Sequence, residues 1–236
     1  MPREQRFLIT CEHGGNRIPA RYAILFAGQS AVLQSHRGWD PGALTLARSL
    51  AKLLDAPLIA SQTSRLLVDL NRSEHHPKLF SAMTDVLQDD ARNRILDEHY
   101  RPYRDDVEAA GDAIIDADAR IVHISVHSFV PVLDGKTRRA DIGLLYDPRR
   151  TREAALCNRW IMALGASLPD LEVRRNYPYR GDADGLTTAL RRRYRAADYI
   201  GIEIELNQRL VARPETFRRV RDAVGQAIAG VSSSDK

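Results

Sequence analysis

Ile121-Val122-His123-Ile124-Ser125-Val126-His127-Ser128-Phe129 is the stretch on which the fold turns. Its first six residues are the clearest β-strand of the chain, rich in β-branched side chains. The strand then runs into a polar end, His127-Ser128. The same form recurs on both sides of it. Upstream, Phe7-Leu8-Ile9-Thr10-Cys11 is a short apolar strand that empties into Glu12-His13-Gly14-Gly15-Asn16. Pro57 to Ala60 reads as the next strand. Leu66-Leu67-Val68 reads as another, ending at Asp69-Leu70-Asn71-Arg72. Downstream, Ile142 to Tyr146, Leu171 to Arg174 and Tyr199 to Leu206 are strand candidates. The last of these carries carboxylates at Glu203 and Glu205, two positions apart and so on one face.

Helical patterns separate these strands. Asp40-Pro41 has the form of an N-cap followed by proline at the first helical position. Leu44, Leu46, Ala47, Leu50, Leu53 and Leu54 then form an apolar stripe at helical spacing. Residues 89–118 read as a long polar helix interrupted by Pro102. Further helices are expected over 151–167, 186–197 and 214–229. Strands alternating with helices from end to end imply an α/β fold. The expectation is a single domain over 1–231, its central sheet mostly parallel or mixed and covered by helices on both faces, with a flexible tail at 232–236.

The chain has 236 residues, of which 44% are hydrophobic, a size that suits one large domain. Its 35 Lys+Arg and 31 Asp+Glu leave a net charge of +4. The arginine runs are scattered and not interleaved with aromatics, so no nucleic-acid surface is expected. No apolar run reaches the ~18–20 residues of a membrane span, and Met1 to Arg6 has no signal-like apolar region. A cytoplasmic protein with no membrane partner follows as the expectation. Cys11 and Cys157 imply no disulfide framework. Cys11 lies two residues from His13, but a buried structural thiol is the plainer reading.

The polar strand ends suit a metal site. Two neutral imidazoles and a carboxylate form a common catalytic zinc site with one position left open to water. Such a metal brings the pKa of water toward ~7. His13 and His127 are the imidazole candidates. Asp40, Glu12 or Asn16 is the candidate third ligand, and Glu205 is the candidate base. No His-Glu-x-x-His motif is present. Arg72, beside Asn71, offers a fork of donors that matches a carboxylate, and Arg65 is a further anion candidate. Arg138 follows the turn at Asp134-Gly135 and is a candidate for polarising a carbonyl. Asn176 to Gly181 is an aromatic loop placed to wall a pocket. Asp182 to Gly185 reads as a loop and helix cap, and His36 and His99 read as surface residues.

Five stretches, taken together, resemble the N-formylglutamate amidohydrolase family. They are Cys11 to Asn16, Gly38 to Ala43, Ser64 to Arg72, Val126 to Phe129 and Ile202 to Asn207, in the family's order and spanning residues 7 to about 209. The resemblance implies a fold similar to the zinc carboxypeptidases and aspartoacylases. It implies hydrolysis of an N-formyl amino acid, typically N-formyl-L-glutamate, to formate and the free amino acid. The partner is then a small anionic N-acyl amino acid and the cofactor Zn2+, a single divalent ion. By the same resemblance His13 and His127 are metal ligands, Glu205 is the general base, and Asn71 with Arg72 holds the substrate carboxylate. The chain departs from the family at Asn16, where zinc carboxypeptidases carry a Glu, and at Glu12-His13-Gly14-Gly15, where the family's deformylases read Pro-His-Ser-Gly. Two other readings stand beside this one: a related deacylase or carboxypeptidase-like hydrolase of a different N-acyl amino acid or peptide, and a basic binding protein without catalysis.

Overall fold

The computed structural model describes residues 3–232. Of the tail expected from residue 232, positions 233–236 lie outside the described residues. The strands are β1 (Gln5–Cys11), β2 (Leu58–Ala60), β3 (Arg120–Phe129), β4 (Val132–Leu133), β5 (Lys136–Thr137), β6 (Ile142–Leu145), β7 (Val173–Arg175) and β8 (Tyr199–Asn207). The helices are α1 (Ser30–Gln34), α2 (Ala43–Leu53), α3 (Asp89–Ile95), α4 (Arg101–Asp116), α5 (Thr151–Ser167), α6 (Leu186–Arg193), α7 (Gln208–Val211) and α8 (Pro214–Ser232).

Six strands form one sheet in the order β2-β1-β3-β8-β6-β7. β2, β1, β3 and β8 run parallel, whereas β6 runs antiparallel to β8, with β7 parallel to β6. The sheet is therefore mixed, and the fold is a single α/β domain with helices on both faces. The reversal has a local cause. After β3 the chain makes the small β4-β5 hairpin and has no helix with which to cross over, so it re-enters the sheet from the end it left.

Alternation along the strands sorts residues onto two faces. On one face Ile9, Val122, Ile124, Val126, Ile200, Ile202 and Ile204 pack against Leu46 and Leu50 of α2, Leu156 and Trp160 of α5, and Val220 and Val224 of α8. On the other face Leu8, Ile121 and Tyr199 pack against Val107 and Ile114 of α4 and Leu190 of α6. Toward the carboxyl ends this second face turns polar. Thr10, Glu12, His123, Ser125, His127 and Glu205 are all buried there.

Four local expectations need correction, the first being the helix over 186–197, which ends at Arg193 where Tyr194 turns extended. Leu66-Leu67-Val68 is buried but is a turn and not a strand. Leu67 N–H bonds to Ser64 C=O, while the hydroxyls of Ser81 and Thr84 donate to Leu66 C=O, so a neighbouring turn supplies the partners a sheet would have given. Asp40 does not cap α2. That helix begins at Ala43 after Gly42, whose φ of 82° lies in the left-handed region, and the Asp40 carboxylate is spent elsewhere. The long helix is divided: α3 and α4 are joined by a π-helical turn at Leu96–Tyr100, and Pro102, which has no N–H for the helical ladder, stands in the first turn of α4. Among the described residues no helix is long and apolar enough to cross a membrane.

Candidate active site

The site forms where β1, β3 and β8 end side by side. β1 delivers Glu12 and His13. The next residues, Gly14 and Gly15, lie against the 61–62 backbone so closely that a Cβ would stand 2.8 Å from Ser61 C=O and 2.6 Å from Gln62 C=O. Two glycines therefore let the chain turn at this point. Asp40 is placed by its own N–H, which bonds to His13 C=O at 2.9 Å. β3 delivers Ser125 and His127, and β8 delivers Glu203 and Glu205, with Glu205 opposite His127 in the register.

Two imidazoles converge on one carboxylate oxygen. Asp40 Oδ2 lies 3.0 Å from His127 Nδ1 and 3.4 Å from His13 Nδ1. The ring centroids are 5.1 Å apart. His13, Asp40 and His127 are all buried, and one ligand atom from each can be chosen so that all lie within 4.8 Å of one another. Such a group could hold a metal ion. The opposite nitrogen of each ring meets a second carboxylate: His13 Nε2 is 2.7 Å from Asp69 Oδ1, and His127 Nε2 is 3.0 Å from Glu12 Oε2. With an ion bound between them, the outer nitrogen of each ring would keep its proton for the carboxylate behind it and the inner nitrogen would face the metal. The fit to a divalent ion is good by both shape and donor chemistry. Glu12 touches only the outer side of the His127 ring, and Asn16 is not part of the group.

The charges hold one another in place. Burial opposes ionisation of Asp40, but the His13 and His127 imidazoles outweigh it and keep its carboxyl well below the usual carboxylate range. Asp69 is also held low against burial, chiefly by Arg65, which donates to it at 2.7 Å, and by His13. Burial disfavours the His127 cation, yet the bonds to Asp40 and Glu12 raise its pKa well above the ordinary value. Glu205 behaves differently. Burial lifts its pKa from 4.5 to about 8, aided by Asp40 and Glu203 and opposed by His127. Its Oε2 is buried with no hydrogen-bond partner.

A cavity of about 220 Å³ opens onto these groups. His13, Asp40, Arg65, Asn71, Arg72, His127 and Glu205 all line it. Asn71 Oδ1 accepts the N–H of Leu186 at 2.7 Å, and Arg72 Nη1 donates to Asp184 C=O at 3.3 Å, which ties the pair to the start of α6. Arg65 reaches Asp40 as well as Asp69, at 3.7 Å and 2.7 Å. Arg138 does not line the cavity. It stands behind Phe129 and Tyr179, which do, and donates to Tyr179 Oη at 2.9 Å. Tyr179 comes from the aromatic loop expected to wall the pocket. His36, read from the sequence as a surface residue, also lines the cavity, as do Arg180 and Asp184. No spacing in the sequence marks them, because the loops that carry them meet only in the folded chain. Cys11 is fully buried, and burial pushes its thiol well up, in keeping with a structural thiol.

Comparison with known proteins agrees with this architecture. The sequence profile of the N-formylglutamate amidohydrolase family matches residues 5–212. A gene product of Agrobacterium tumefaciens of known structure is similar, with a TM-score of 0.78, 29% identity, and coverage of 97% of this chain and 92% of that one. The N-formylglutamate amidohydrolase of Ralstonia eutropha shares the fold, with a TM-score of 0.72, 17% identity, and coverage of 98% and 94%. No protein of curated function matches in sequence. With the family's profile running across nearly all of the sheet and every wall of the cavity, this chain belongs to the N-formylglutamate amidohydrolase family and is an amidohydrolase.

Proposed function

We propose that the chain hydrolyses the amide bond of an N-formyl or other small N-acyl amino acid, with N-formyl-L-glutamate the first candidate, and that it works with one zinc ion. The observation that carries this reading is the convergence of two imidazole nitrogens and one carboxylate oxygen beside the unpartnered carboxylate of Glu205, all in one cavity. His13, Asp40 and His127 would hold the ion. When bound, zinc polarises the amide carbonyl and makes a neighbouring water acidic enough to attack near neutral pH.

The remaining work falls to side chains. Glu205 Oε2 takes the proton from the attacking water and passes it to the departing nitrogen, so that the amine leaves neutral. Burial raises this carboxyl in the metal-free protein, and a divalent ion bound beside it would draw it back toward the ionised form that a general base needs. Arg72 with Asn71 anchors the substrate carboxylate through charge-assisted hydrogen bonds. Arg65, already set between Asp40 and Asp69, supplies positive charge close to the reacting carbonyl. The polarising role expected of Arg138 is here proposed for Arg65, which lines the cavity where Arg138 does not.

Release of the free amino acid, measured across a panel of N-formyl and N-acetyl amino acids, tests the reading. Turnover of at least one member, with the free carboxylate required, supports it. Turnover of acetylated or longer acyl substrates only, with formyl ones untouched, would make the chain a deacylase of the related kind. Activity on carboxamide analogues equal to that on the free acids would reject the anchor.

A further inference from the structure

We infer that Glu12 is a positioning residue for the metal centre: its buried carboxylate fixes the tautomer of His127 and supplies the negative charge that tightens ion binding from the far side of the ring. This rests on the metal reading proposed above and extends it to a residue that binds neither ion nor substrate.

Glu12 is fully buried and pairs with no Lys or Arg among the described residues. Its Oε1 accepts the Tyr103 hydroxyl at 2.9 Å, and its Oε2 accepts the Ser125 hydroxyl at 2.7 Å and lies 3.0 Å from His127 Nε2. Three elements, β1, β3 and α4, thus hold one carboxylate against one ring nitrogen. A buried anion is costly unless positive charge stands near it. Among the described residues, the basic group in contact with the Glu12 carboxylate is the His127 ring. His127 Nε2 lies 3.0 Å from Glu12 Oε2, 2.8 Å from Ser125 Oγ and 3.4 Å from Asn71 Nδ2; with an ion bound on the Nδ1 side beside Asp40 Oδ2, the Nε2 proton would be held by the Glu12 carboxylate.

Asp69 behind His13 is the useful contrast. It already has Arg65 at 2.7 Å, so much of its charge is met before the imidazole is reached. The Glu12 carboxylate has only hydroxyl donors besides the ring, so its charge is directed through His127.

The test uses the full chain, stripped of metal and titrated with zinc against a competing chelator, with the cobalt(II) absorption spectrum recorded in parallel. Glu12→Gln keeps the shape and removes the charge. The expected result is zinc affinity about 10–100-fold weaker, an altered cobalt spectrum, and a metal-free melting temperature close to that of the wild type. Tyr103→Phe leaves the carboxylate but frees it, and the expected result is a smaller loss in the same direction. Wild-type zinc affinity and cobalt spectrum in Glu12→Gln would overturn the inference. If that variant does not fold, wild-type affinity in Tyr103→Phe would overturn it. A wild-type chain that binds no divalent ion would instead bring down the metal reading itself, and the control titration shows this before any variant is made.

Discussion

β3 and β8 present two faces made from the same residues in alternation, and the faces have nothing else in common. Val122, Ile124, Val126, Ile200, Ile202 and Ile204 point into a wholly apolar layer under α2, α5 and α8. His123, Ser125, His127, Glu203 and Glu205 point the other way, into hydrogen bonds, ion pairs and the cavity. The first face stabilises by area removed from water, and its members are interchangeable in kind. On the second face each buried polar group needs a particular partner, since an unpaired one is costly. Glu205 Oε2 lacks such a partner. The contrast teaches that the apolar face is strong enough to carry a neighbour built for chemistry instead of stability.

The largest test of that contrast is Glu205→Gln. Turnover should fall by about 10²–10⁴-fold while the bound zinc is retained; loss of the zinc would place Glu205 among the ligands instead. Next is Ile202→Ala on the apolar face. Its side chain is fully buried, and denaturant unfolding should show a loss of about 2–5 kcal/mol. Its kcat should hold wherever the protein stays folded. A drop in kcat with stability intact would mean that the two faces are not separable. Arg72→Ala should raise KM by roughly tenfold or more with less change in kcat, as for an anchor whose hydrogen bonds to a charged group are lost. An unchanged KM would remove Arg72 from the substrate's path.

The smallest effect is one of stability against pH in the metal-free protein. Burial holds Glu205 protonated up to about 8, against 4.5 ordinarily. The folded state therefore binds the extra proton between those values. The stability this proton brings is complete below about 4.5 and is lost as pH rises through 8. Glu205→Gln lacks this term, so its melting temperature relative to wild type should climb from pH 5 to pH 8. A constant difference would show that Glu205 is not held protonated.

The two faces were also unequally legible. The strands of β1, β3 and β8 can be read directly, because apolar β-branched runs of that length have few other uses. His13, Asp40, His127 and Glu205 could be proposed as a set, since each follows or ends such a run or sits in a stretch resembling the family. The direction of β6 could not be read, because it depends on the hairpin after β3 and not on any residue of β6. Leu66-Leu67-Val68 misled, since three apolar residues suit a buried turn as well as a strand. Asp40 has the local form of a helix cap, and only the arrival of His127 from β3 shows where its carboxylate goes. Glu12 and Asp69 were visible as acids, but their place behind the two rings depends on contacts across 115 and 56 residues of sequence respectively, the former counted to His127.

The measurement that tests the central claim most directly is metal analysis of the purified chain, with formate release from N-formyl-L-glutamate followed in the same sample before chelation, after chelation and after zinc is restored. The account predicts about one zinc per chain, in keeping with a single two-histidine, one-carboxylate site, and activity that disappears with the metal and returns with it. A chain that holds no metal yet hydrolyses the amide at full rate in excess chelator would contradict it.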